Sequence, residues 1–85
     1  MAFSLSQTES GDTALAFTPA ELDTLRGLIN EIWGGIRRPW VTAGDLGFGD
    51  ESFVFEDKTE ALQMISMTPR GADMLRTLAA RLEAH

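Results

Sequence analysis

Thr-Pro occurs twice in this chain, at Thr18-Pro19 and at Thr68-Pro69, and the residues around the two copies align without a gap at an offset of fifty positions. Each dipeptide is a helix start: a threonine can cap the first free N–H groups, and proline suits the first helical position, where no N–H is needed. Glu21 completes a capping box in the first copy, whereas Gly71 stands at the equivalent place in the second. Asp23, Leu25, Arg26 and Leu28 match Asp73, Leu75, Arg76 and Leu78. The apolar positions Leu22, Leu25, Leu28, Ile29 and Ile32 recur as Ala72, Leu75, Leu78, Ala79 and Leu82, one stripe down one face of each helix. Helices are predicted over 19–33 and 69–84, the first stopped by Gly34-Gly35.

Upstream of each cap the offset persists. Phe3 and Leu5 match Phe53 and Phe55, and Leu15 and Phe17 match Ile65 and Met67, alternating as half-buried strands do. Turn-like stretches at 8–12 and 57–60 separate the strands, so each copy reads as a hairpin leading into a helix. The expected fold is α+β: two ββα units, 3–33 and 53–84, joined by a Gly-rich linker at 34–51 within one domain of residues 1–85. Two hairpins in a four-stranded antiparallel sheet, with both helices on one face, would let the two leucine stripes share an interior. A swap or pairing of units between two chains would bury them equally well.

In this register Ser4, Ser6, Ala14 and Ala16 point away from the helices in the first copy, and Val54, Leu62, Met64 and Ser66 in the second. The second set is apolar. Such a patch marks an interface, with a partner or with a second copy, unless the linker folds over it. The linker carries the means to do so in Ile36, Trp40, Val41, Leu46 and Phe48.

Two further features of the middle of the chain bear on binding. Arg37-Arg38-Pro39-Trp40 combines the side chains that most often dominate binding energy, with Arg38 held extended by the proline, unless Trp40 packs into the core edge and the arginines neutralise nearby acids. An acidic run follows, Asp45, Asp50, Glu51, Glu56, Asp57 and Glu60, relieved only by Lys58. It is either a solvated rim or a surface that docks on a basic protein or imitates nucleic-acid phosphates. The candidate partner-binding residues are therefore Arg37, Arg38, Trp40, Asp45, Asp50, Glu51, Val54, Glu56, Asp57, Leu62 and Met64.

The chemistry expected is that of a non-enzyme without cofactor or metal. The chain has no cysteine, its single histidine is the last residue, His85, and no glycine-rich phosphate motif with a following lysine is present. Seven Lys and Arg against thirteen Asp and Glu give a formal charge of −6, which repels nucleic acid and favours basic partners. No apolar run is long enough to cross a bilayer and no basic-then-apolar leader opens the sequence, so a cytoplasmic location is expected.

Residues 57–75, from Asp57-Lys58 through Leu62-Gln63-Met64-Ile65-Ser66-Met67-Thr68-Pro69-Arg70-Gly71 to Met74-Leu75, resemble the wing and closing helix of winged-helix transcription regulators. The resemblance implies DNA binding through Arg37, Arg38, Lys58 and Arg70. It also requires a recognition helix within 35–51, a stretch rich in glycine with no helical stripe. Size, acidity and the lack of catalytic groups lead instead to a protein-binding inhibitor or adaptor. That class includes the cytoplasmic inhibitors that neutralise a toxin or nuclease complex, immunity proteins and phage anti-CRISPR proteins among them. A structural homodimer module, paired through Val54, Leu62 and Met64, is the third expectation.

Overall fold

The computed structural model describes residues 3–36, 44–57 and 61–84. Arg37, Arg38, Trp40 and Val41, together with Lys58 and Glu60, lie outside the described residues. The order of elements is β1 (Phe3–Gln7), β2 (Thr13–Phe17), a 3-10 turn (Pro19–Glu21), α1 (Leu22–Trp33), β3 (Gly44–Phe48), β4 (Glu51–Asp57), β5 (Leu62–Ser66) and α2 (Pro69–Ala84). All strand pairs are antiparallel, and the sheet runs β1-β2-β5-β4-β3. The helices touch each other and share one core with the sheet, so the architecture is two layers, α over β.

Both helix starts fall where Thr-Pro places them. At the first, the Glu21 carboxylate accepts from the Thr18 backbone N–H at 3.0 Å and from its hydroxyl at 2.6 Å. Those two donors, the hydroxyl first, hold the Glu21 pKa below its ordinary value. At the second, the Gly71 N–H donates to the Thr68 hydroxyl oxygen at 3.0 Å, and the carboxylate comes from elsewhere: Glu51 of β4 accepts from the Thr68 hydroxyl. Gly34, with φ of 80°, closes α1 by donating its N–H to the Asn30 carbonyl.

The sheet has five strands, not four. Residues 44–48, expected within a linker, form β3, which pairs with β4 through a two-residue turn at Gly49-Asp50. Both turn residues have positive φ, 57° and 62°, the pair required by a hairpin whose twist matches that of its strands. Leu46 and Phe48 of β3 enter the core; the Phe48 ring stacks on Phe53 at 4.3 Å between centroids, and Trp33 of α1 lies 5.3 Å away. A flexible linker has no reason to bury a phenylalanine. This one is a strand.

The second correction concerns the face of β5. Across the β2–β5 ladder Leu15 stands opposite Met64 and Phe17 opposite Leu62, and across β4–β5 Phe55 stands opposite Met64. Leu62, Met64 and Ser66 therefore point toward the helices, and Met64 is fully buried. Ile65 points away, and Met67, next in the alternation beyond β5, is exposed, the reverse of the expectation from the repeat. The fifty-residue offset holds for the helices and fails for this strand by one residue, and a one-residue slip exchanges the two faces. The helix starts differ in the way this requires. In the first copy the core-facing Phe17 is adjacent to the cap and a 3-10 turn precedes α1. In the second the core-facing Ser66 lies two residues before the cap and α2 begins at Pro69 without such a turn. The strict description of two identical ββα units does not hold.

Candidate partner-binding surfaces

Antiparallel pairing fixes what the helix-free face of the sheet presents. One row runs Ser6, Ala14, Ile65 and Val54 across β1, β2, β5 and β4; the next runs Ser4, Ala16, Gln63 and Glu56. Ala14 is buried within this face, while Val54 and Ile65 are half-buried, so their methyl groups form a shallow apolar strip. The next residue in the alternation is Met67, just beyond β5, which is 63% exposed, more open than any other large apolar side chain described, and borders the cleft at the start of α2. Glu56 lies beside Val54 on the same face and accepts from Gln63 Nε2 at 3.2 Å.

The described cations are confined to one layer. Every cation among the described residues, Arg26, Arg70, Arg76 and Arg81, belongs to a helix. The five strands carry Asp45, Glu51, Glu56 and Asp57 and no lysine or arginine. Three of the arginines meet acids: Arg70 approaches Glu51 at 4.0 Å, Arg76 pairs with Asp73, and Arg81 lies 3.4 Å from Glu31. Apart from the half-buried Glu51 the partners are exposed, and such pairs contribute little to stability. Among the described residues the cations are confined to the helical layer, which carries Asp23, Glu31, Asp73 and Glu83 as well, and the strands bear acids alone.

The residues expected to bind a partner are dispersed by the fold. Val54 and Glu56 share the helix-free face, Asp57 is exposed at the end of β4, and Asp50 is exposed in the β3–β4 turn. Asp45 stands in β3 in register with Val54. Glu51 is occupied at the start of α2, where it meets Thr68 and Arg70. Leu62 and Met64 are core residues and leave the exposed patch. Arg37, Arg38 and Trp40 lie outside the described residues. Ile65 and Met67 were missed. Their signal lay in the alternation of β5 itself, Leu62-Gln63-Met64-Ile65-Ser66, whose two apolar phases cannot be told apart without knowing which residue meets the helix start.

Other chemistry is sparse. Among the described residues no group of three His, Cys, Asp or Glu side chains is placed to hold a metal ion, and no helix is long and apolar enough to cross a membrane. The recognition helix required by a winged-helix reading finds no place in 44–51, which is strand and turn. A cleft of about 280 Å³ lies at the start of α2 among Asp12, Thr13, Ser66, Met67, Thr68 and Arg76. Its Ser66 hydroxyl is occupied, donating to the Thr68 carbonyl at 3.0 Å. Searches against protein-family models, curated proteins and solved structures found no match to this chain.

Proposed function

We propose that the protein is a small, acidic, non-enzymatic binding module, an inhibitor or adaptor that acts by docking on a basic protein target. Cytoplasmic immunity proteins and phage anti-CRISPR inhibitors of nucleases or nucleic-acid-binding complexes are the class it fits. The placement of charge carries this reading: the apolar strip of Val54, Ile65 and Met67 has Glu56 beside it on the helix-free face, and the described strands bear acids and no cation. Apolar contact supplies affinity, and the acidic surround steers a cationic partner and rejects phosphate backbones. The net charge of −6 acts in the same direction at longer range.

The test is a quantitative capture from host extract that compares the wild-type chain with Ile65→Asp and with Arg81→Ala, a change on the helical layer. A genuine partner is retained by wild type and by Arg81→Ala. It is weakened about tenfold or more by Ile65→Asp, because truncating or charging a central apolar contact is what costs most at an interface. Association should also slow as salt is raised. A partner held equally well by Ile65→Asp, with circular dichroism unchanged, would place the binding surface elsewhere. Capture of nucleic acid free of protein would refute the reading altogether.

A further inference from the structure

The two edges of the sheet differ in a way the docking proposal does not use. β3, at one edge, contains Gly44, Asp45 and Gly47, residues that weaken or charge a strand. β1, at the other edge, reads Phe3-Ser4-Leu5-Ser6-Gln7, with no charge, no proline and no glycine. Ser4 through Gln7 are exposed, and among the described residues no strand pairs with the outer side of β1. Leu5 faces the helical layer from this edge and is still 39% exposed. Beside it a groove of about 180 Å³ opens between β1 and α2, bounded by Leu5, Gln7, Thr13 and Arg76. An edge of this kind is a template for another strand, and soluble proteins ordinarily blunt it with lysine, proline or a bulge.

We infer that the occupant is a second copy of this chain, with β1 pairing antiparallel to the partner's β1 about a two-fold axis at Leu5. The strand is self-complementary in that arrangement. Ser4 falls opposite the partner's Ser6, Phe3 opposite the partner's Gln7, and Leu5 opposite the partner's Leu5, so each exposed leucine enters the space beside the other. Two chains that each carry −6 repel over most of their surfaces. β1 is the strand of the sheet where they approach without bringing acids together: β2 is uncharged too but is paired on both sides, and β3, β4 and β5 either carry acids or lie inside the sheet. The contact joins two sheets into one of ten strands, five from each copy, and leaves the strip of Val54, Ile65 and Met67 open on both. It is independent of the docking proposal.

The chain contains no cysteine, which makes the test clean. Light scattering of the wild-type protein, at concentrations on the order of 100 μM because a strand-edge interface is small, should approach twice the chain mass of 9.3 kDa and fall on dilution. Leu5→Lys should remain at the single-chain mass with unchanged circular dichroism. Leu5→Cys should form a disulfide-linked dimer rapidly on mild oxidation, since residues directly opposite across antiparallel strands have Cα atoms about 4.5–5.5 Å apart. Asn30→Cys, exposed on α1, should not. A wild-type chain that stays monomeric overturns the proposal, as does a dimer that persists in Leu5→Lys or a Leu5→Cys chain that crosslinks no faster than Asn30→Cys.

Discussion

Gly71 shows how a single hydrogen atom in place of a methyl group can fix a junction. A Cβ built at this position would lie 2.0 Å from Ser66 Oγ and 3.0 Å from Ser66 Cβ, closer than atoms can approach. Ser66 cannot yield easily, because its side chain is buried and its hydroxyl donates to the Thr68 carbonyl. Gly71→Ala should therefore destabilise the protein by about 1–3 kcal/mol, the usual range for overpacking a well-filled site. Chemical denaturation measures it. The double change Ser66→Ala with Gly71→Ala removes the nearest of the three crowding atoms, Ser66 Oγ, and should recover part of the loss; a Gly71→Ala chain as stable as wild type would show that α2 does not sit this close to β5. In the sequence Gly71 is visible only as a departure from the capping box. Its cause is a strand residue five positions earlier, and the carboxylate it displaces is supplied by Glu51, seventeen positions before Thr68. Neither relation is encoded locally.

The elements divide into those that local rules determine and those that tertiary contact decides. Both helices were legible to within a few residues because caps, proline and a 3.6-residue stripe all agree. β1, β2 and the turn between them were legible from alternation and a polar five-residue break. β3 was not, because Gly44 and Gly47 dilute its pattern to Leu46 and Phe48 alone, and a glycine-rich stretch reads first as a linker. The usable signal was Gly49-Asp50 flanked by alternating apolar residues, a two-residue hairpin turn. Gly49 is needed there twice over: its φ is 57°, and a Cβ would fall 2.5 Å from Met74 Cε and 2.8 Å from Trp33 Cδ1. If β3 is an integral strand, Phe48→Ala should cost about 3–5 kcal/mol, as loss of a buried aromatic does. A linker residue would cost almost nothing. Thermal unfolding of the variant separates the two.

At the scale of the whole molecule the helices cover one side of the sheet and leave the other free of helix. The chain could be seen to favour an α+β fold with two helices over an antiparallel sheet, and the candidate patch to lie on the far side. Its composition could not, because β5 is apolar on both phases and only the β2–β5 ladder chooses between them. Val54 kept its place, Leu62 and Met64 exchanged theirs for Ile65 and Met67, and the confinement of the described arginines to the helices emerged only once the elements were assembled. Everything said of binding on that face depends on this one phase.

It is measured directly by thiol reactivity, with one cysteine introduced at a time into a chain that has none. Met67→Cys should react with a soluble thiol reagent about as fast as the same residue in denaturant, and Met64→Cys should react only as the protein unfolds, slower by several orders of magnitude for a stable domain. Rapid labelling at position 64 together with protection at position 67, both in folded protein, would mean that β5 presents its other face, and the surface proposed for partner binding would not exist.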